Sequence, residues 1–599
     1  MATKPSWVFE RTPEMGGATG GAFTNTLLGT GMEPAARLAR EAIQNSVDAR
    51  ENGGKVRVEF HRIALLGKQK ADFVSAMSLS PALLNHQKKL KLPRGACLDT
   101  LSDGKKPLTL LYIEDYGTFG LHGNPTKSKS HFFRLLLSLG DDAKASEAEG
   151  SGGSYGFGKS VYSSNSRIHT IVAYSVFDST LSGLKEKNHA RLMGCSYFNQ
   201  HDINGVEYSG RAWFGRPKKN GTEPLLDSEA HGLAERLGFR KRSKDDRGTS
   251  LLIIDCDVDC DTLRESIEEW WWPRLLDDEL GLDVALFEQG KPLQPPRPRK
   301  RRDLRPFIEC FDLAIGRSMP VGPHQKTGPF NKLYDKALGN YAFTVVENDT
   351  GDERVQEKVG RVALIRMHRM VIEYMAVGGT MPLPCVGTFV ADPGIDHALK
   401  FSEPATHDEW DEKSSRLSEL APEDREVVRS VLQRVKTGLR SFARDAAPQA
   451  PQQELRLKSL EKLLGGLFKP PTTDTGGRGS TEGDPFTIHF VEEPRIVAKQ
   501  DKIATKGSFR VALADEADRD SVKVSVRVTC LVQEDEGVSR EDPIAVHLSS
   551  TELNGAASKT TDGSMEFELK KNANPLFVFR SDAYTPDWTT HVQVQIEEL

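Results

Sequence analysis

Long apolar runs are missing from this chain of 599 residues. No stretch approaches the roughly 18–20 apolar residues that a transmembrane helix needs, so no membrane span is expected. The opening residues, "MATKPSWVFERTPEMGG", lack the basic-then-apolar pattern of a secretory signal, and the cytoplasm is the expected location. There are only seven cysteines, scattered without a CxxC pair, so neither a disulfide framework nor a zinc site is indicated. Cys256 and Cys260, the nearest pair, read as core thiols. Charge of one sign is not in excess: the net charge of −5 means that any nucleic-acid contact must use a local patch. Internal repeats are absent as well. What is present is a globular balance, 28% charged and 38% hydrophobic, at a length that predicts three or four domains, each with its own core.

The most informative stretch is "LAREAIQNSVDAREN", residues 38–52. It reads as one amphipathic helix on which Glu41, Asn45 and Asp48, spaced i, i+4, i+7, fall within about a 60° arc. Ala36, Leu38, Ala39, Ala42, Ile43 and Val47 form a separate core face. Two carboxylates and a carboxamide in one polar stripe suit a hydrated divalent cation and an activated water. A solvated helix face near a helix end has the same pattern.

Three further segments carry chemistry. "PLTLLYIEDYGTFGLHG" reads as a strand from Leu108 to Ile113 followed by Asp115, Gly117 and Gly120. "EGSGGSYGFGKS", residues 149–160, holds Gly152, Gly153, Gly156 and Gly158 with Lys159 directly after, a loop whose N–H groups and lysine suit phosphate oxygens. Gly153 through Ser160 also satisfies the P-loop pattern GxxxxGKS. A true P-loop follows a buried strand and opens a helix, whereas the residues before this one are small and polar and those after it lead soon into a strand; the P-loop is set aside. In "RGTSLLIIDC", Thr249 opens an apolar strand after Gly248.

Taken together, "EAIQNSVDA", the Asp-x-Gly strand end and the glycine-rich loop resemble, in order, the nucleotide-binding motifs of the GHKL ATPases, a superfamily that includes gyrase B, the heat-shock 90 chaperones, MutL and MORC proteins. The first motif should occur by chance in roughly one chain of this size in several thousand. The resemblance implies ATP and Mg²⁺ as ligands. It makes Glu41 the general base, Asn45 the Mg²⁺ ligand, and Asp115 the acceptor for the adenine amino group. Gly117 and Gly120 would admit the base; Gly120 stands one residue later than in the family pattern. Gly153, Gly156, Gly158 and Lys159 would form the lid over the phosphates, and Thr249 would support the phosphate region. Asp48 receives no role.

The organisation expected is α/β: a Bergerat-type α/β sandwich ATPase domain over 1–260, a transducer-like α/β domain over 261–415, and a helical segment over 416–446. A linker with a short helix over 447–484 and an all-β sandwich interaction domain over 485–599 follow. Strands are predicted at "KVRVEFHRI", "LTLLYIED", "IHTIVAYSV", "HARLMGCSYF" and "TSLLIIDC" for the first domain, and at "LDVALFEQ", "NYAFTVVEN", "GRVALIRMHRMVIEYM" and "CVGTFVAD" for the second. Trp270, Trp271 and Trp272 read as anchors of a helix between the two. Lys326 is a loose match to the lysine with which family transducers reach the nucleotide. Glu403, His407 and Asp408 read as a polar turn ahead of a helix.

The branch that the resemblance favours is that of the MutL/MORC-like ATPases of bacterial restriction or phage-defence systems, because no phospho-accepting histidine helix, cleavage domain or endonuclease signature stands beside the motifs. This implies an ATP-dependent homodimer, nuclease or helicase partner subunits, and DNA as the clamped partner. The basic segment "PPRPRKRRDLR", with Arg297, Arg299, Lys300, Arg301, Arg302 and Arg305, has the charge density for phosphate contacts, and equally that of a solvated loop. A nucleotide-controlled scaffold with little turnover, recruiting an effector through the β domain, is the other function class the sequence allows.

Overall fold

Residues that alternate between two apolar faces build the principal sheet. The computed structural model describes residues 4–447 and 486–599, apart from 15–31, 52–53, 80–82, 84, 87–88, 91, 93–94, 128–129, 137–159, 186, 220, 278, 347–351, 379–380, 405–407, 500–501, 514–519, 535–543, 558–563, 572 and 585–587. Its fold is mixed α/β with several sheets, divided into two compact units within residues 1–449 and 450–599.

The largest sheet has twelve strands: β1 (Ser6–Arg11), β2 (Val56–Leu65), β3 (Leu108–Tyr116), β4 (Thr170–Val176), β5 (Ala190–Tyr197), β6 (His201–Ile203), β7 (Val206–Lys218), β8 (Gly221–Glu223), β9 (Leu225–Leu226), β10 (Gly248–Ile254), β11 (Leu282–Glu288) and β12 (Lys291–Pro292). The main order is β1-β7-β5-β4-β10-β3-β2-β11-β12. On β3, Leu111 and Ile113 enter one core while Leu110 and Tyr112 enter the other; on β10, Leu251 and Ile253 oppose Leu252 and Ile254. Helices cover both faces, which is why these strands read as continuous apolar runs. The helices Pro34–Asp48 and Cys260–Leu275 share the first core; Gly67–Ala76 and Asp227–Arg236 share the second.

The five strands expected for the first domain all lie in this sheet, at registers such as Glu59 opposite Glu114 and Ser250 opposite Glu114. The strand expected to open the second domain does not belong there: β11 pairs in parallel with β2, Leu282 opposite Val56, and so extends the first sheet beyond the anticipated boundary at 260.

A second sheet, ordered β13-β14-β17-β15-β16, comprises β13 (Gln325–Pro329), β14 (Gly339–Val345), β15 (Arg361–Ile365), β16 (Val371–Ala376) and β17 (Cys385–Ala391). The single apolar run at 360–375 is thus two strands of a hairpin, β15 with β16. Helix Arg305–Ala314 packs on one face through Phe307 and Phe311, and the long helix Pro422–Ala446 on the other through Val427, Val431, Val435 and Leu439. Adjacent tryptophans on helix Cys260–Leu275 serve the two cores separately. Trp271 donates to Ala39 O at 3.1 Å, and Trp272 to the Tyr374 hydroxyl at 2.9 Å.

The second unit consists of β18 (Phe486–Lys499) through β26 (Trp588–Glu598), in a five-stranded sheet and a four-stranded one. Phe509, Val511 and Phe579 of the first share a core with Val524, Val526 and Cys530 of the second. The short helix anticipated within 447–484 lies outside the described residues.

Candidate functional site

Helix Pro34–Asp48 starts at a proline, the residue best tolerated in a first turn, and buries Leu38, Ala42, Ile43 and Val47 against the sheet. Glu41, Asn45 and Asp48 are left half-buried along one stripe. The chain beyond β3 is stitched to the end of this helix. Phe119 N–H donates to Ala49 O at 2.8 Å, and Glu51 N–H to Gly117 O at 3.0 Å. The two motifs therefore meet, although some seventy positions separate Glu41 from Asp115.

Asp115 is the hub. Its Oδ1 accepts from the Thr118 hydroxyl at 2.5 Å and from Thr249 N–H at 2.8 Å, and its Oδ2 accepts from the Ser46 hydroxyl at 3.3 Å. Burial pushes its carboxyl above the usual range; Arg242 and the three hydrogen bonds oppose that shift. Arg242, itself buried, holds the site from behind. It donates to Asp115 O at 2.6 Å, Thr249 O at 3.1 Å, Ser250 Oγ at 3.0 Å and Asp246 O at 3.2 Å, and its guanidinium lies 4.3 Å from the Tyr116 ring centre.

Three glycines are required here. Gly117 and Gly120 have φ of +76° and +66°, where a side chain is strained, and a Cβ would meet Lys55 O at 2.3 Å or Val176 O at 2.6 Å. Gly248, φ +145°, lets β10 approach Asp115: its Cβ would lie 2.3 Å from Asp115 O.

Asn45 donates from Nδ2 to the Tyr162 hydroxyl at 3.2 Å. Tyr162 lies on the five-residue helix Ser160–Ser164 that follows the glycine-rich loop, and the charges of Asp115 and Glu41 both act on it. Gly153, Gly156, Gly158 and Lys159 lie outside the described residues. The structure thus brings together Glu41, Asn45, Asp115, Gly117, Gly120 and Thr249. Sequence reasoning missed Ser46, Thr118, Tyr162, Ser175 and Arg242. Ser46 stood inside the first motif, whereas Arg242 carried no local signal. Ser175 accepts from Leu121 N–H and donates to Gly248 O, both at 2.8 Å, joining the two glycine turns.

Other singled-out residues have different partners. Lys326 lies on β13 and pairs with Asp445 at 3.7 Å. It is at the far edge of the second sheet from β16, the strand whose Val371 O accepts from Arg40 at 2.9 Å. Four strand spacings place β13 about 19 Å across the sheet from β16, and the partner of Lys326 is Asp445. Glu403 is buried and bonded to Arg366 at 2.5 Å, and Arg366 also holds Asp396 at 3.0 Å; His407 is outside the described residues. In the basic segment, Arg301 is committed to Glu269 at 2.7 Å and Asp303 at 2.5 Å, and Arg299 to Asp312 at 2.9 Å.

One cluster has metal-ligand chemistry on the opposite face of the sheet: Glu59, His61 and Glu114 have ligand atoms within 4.8 Å of one another. Two buried carboxylates directly across a strand pair need compensation. Arg57 and Arg240 bond Glu59, the Tyr116 hydroxyl donates to Glu114 at 2.9 Å, and His61 faces Glu59 at 2.9 Å. Burial holds the His61 imidazole down at about 4. Two guanidiniums already supply the positive charge, and the cluster reads as a closed ion network. Among the described residues no helix is long and apolar enough to cross a membrane. No protein-family model and no curated protein matches the chain.

Proposed function

We propose that the chain is a GHKL-type ATP hydrolase. The observation that carries the reading is the meeting at Asp115 of three separate motifs: Ser46 of the first, Asp115 with its glycine turns, and Thr249. Asp115 would present a carboxylate acceptor to the adenine amino group, and Gly117 and Gly120 allow the tight backbone turns that frame it. Because Asn45 spends an amide N–H on Tyr162, its carbonyl oxygen is the atom suited to a hard cation such as Mg²⁺. The bound cation would neutralise phosphate charge. Glu41, one turn before Asn45, would accept a proton from the attacking water, and the product is ADP with inorganic phosphate. On the same resemblance, ATP-driven lid closure would pair two copies on DNA within a restriction-like or antiviral system, alongside nuclease or helicase subunits.

Glu41→Ala is the test. It should reduce ATP turnover about 100-fold or more while ATP affinity stays within a few-fold. Turnover near the unaltered rate would show that Glu41 is not the base.

A further inference from the structure

We propose that His189 and His231 form a binding site for one transition-metal dication of the zinc class. The imidazoles come from separate elements. His189 immediately precedes β5, and His231 lies on helix Asp227–Arg236. Their Nε2 atoms face each other at 3.2 Å. A tetrahedral ion with nitrogen ligands at about 2.0–2.1 Å holds two of them about 3.3 Å apart, so the gap is already the edge of such a coordination shell.

Each ring is held from behind, as metal-binding histidines are. His189 Nδ1 lies 2.9 Å from Asp227 Oδ1, and His231 Nδ1 lies 2.7 Å from the Tyr174 hydroxyl. These partners occupy the Nδ1 atoms and direct both Nε2 atoms into the same space. Asp227 is itself fixed. Its Oδ1 also accepts from the backbone N–H groups of His189 at 2.8 Å and Ala190 at 3.1 Å, and its φ of +44° is a conformation few residues other than glycine adopt.

The chain contains its own contrast. His86 Nδ1 and His201 Nε2 stand 2.8 Å apart, an ordinary N–H···N length, with His201 Nδ1 on Asn199 O at 2.9 Å. That gap is shorter than the about 3.3 Å between two nitrogens on one tetrahedral ion. At His189–His231 the separation is wider, the facing atoms are both Nε2, and both rings are partly exposed. Two imidazole donors favour zinc, copper or nickel over magnesium or calcium, with water completing the shell.

Chelator-treated full-length protein titrated with ZnCl₂ in a calorimeter should take up one ion per chain at this site. His189→Ala and His231→Ala should each weaken that uptake at least tenfold, and Asp227→Asn or Tyr174→Phe by about tenfold. Glu114→Gln, in the other cluster of ligand-type groups, should leave it unchanged. Undiminished uptake in the His189→Ala/His231→Ala double variant, or loss in Glu114→Gln, overturns the assignment. A second measurement needs no substitution: one equivalent of Cu²⁺ bound to the unaltered chain should show nitrogen hyperfine coupling by electron paramagnetic resonance. An oxygen-only signal overturns the proposal.

Discussion

Replacing Asp115 by Asn removes a charge and reverses one hydrogen-bonding direction while barely changing shape. The amide oxygen placed at Oδ1 keeps the bonds from Thr118 at 2.5 Å and Thr249 at 2.8 Å. Its NH₂ then points at Ser46 Oγ, which can accept while still donating to Ala42 O at 3.0 Å. Three charge-assisted bonds become ordinary ones, but burying a carboxylate is no longer necessary, so folding should lose only about 1 kcal/mol. The nucleotide fares worse. A bond to a charged acceptor is worth about 1.5–3 kcal/mol, and in the variant a donor faces the adenine amino group. At about 1.4 kcal/mol per decade, ATP affinity should fall about 10- to 100-fold. Calorimetric titration with a non-hydrolysable ATP analogue and Mg²⁺ measures the affinity, and a thermal melt checks the fold. A variant that keeps its melting temperature and binds within twofold of the unaltered chain would refute adenine recognition at Asp115.

Acidification should act on the same atom. Because the Asp115 carboxyl is held above its usual range, lowering the pH protonates it earlier than a free aspartate and turns an acceptor into a donor. ATP affinity should therefore decline at a pH above the ordinary carboxylate range, and Asp115→Asn should lack that decline; parallel pH profiles would count against it. Arg242→Lys loses the planar fork that joins Asp115 O to Thr249 O, and should raise the dissociation constant for ATP about tenfold without altering the adenine preference. Arg299 and Arg301 are in ion pairs, so on the proposed reading any DNA contact would fall to other residues of the basic segment. If Arg297, Lys300 and Arg305 each neutralise one phosphate, their joint replacement by alanine should shallow the slope of log K against log salt by about 2.7, measured by fluorescence anisotropy.

Much of the first sheet was legible because strands buried on both faces announce themselves as unbroken apolar runs, as "LTLLYIED" and "TSLLIIDC" do. β7 was not, and its glycines explain why. Gly210 has φ +81° and would place a Cβ 2.1 Å from Phe198 O, while Gly215 admits Glu223 O at 2.4 Å. Both are demanded by close strand contacts and both interrupt the alternation on which strand recognition depends. β11 was seen as a strand but assigned to the wrong sheet, since its parallel pairing with β2 spans more than two hundred residues and leaves no local trace. In the site, Glu41, Asn45 and Asp115 were readable because side-chain chemistry at fixed spacing is local. Arg242 was not, because its task is to bond main-chain carbonyls, and those exist at every position of every sequence.

Asp48, which the motif left without a role, points toward the rest of the unit. The charges of Lys400 and Arg274 lie within its electrostatic reach. Arg40 on the same helix is buried, donates to Val371 O at 2.9 Å and lies 4.4 Å from the Trp270 ring centre; Ala39 O accepts from Trp271 at 3.1 Å. All of these partners belong to residues 260–400. The helix that carries Glu41 is thus fixed on one side to Asp115 and on the other to the second sheet. Separating the two sheets would break the Arg40 bond to Val371 O and its contact with Trp270, and would expose the apolar core that both share. The two sheets are therefore expected to move as a single body, and on the proposed reading any work driven by ATP would be sought between that body and what it meets.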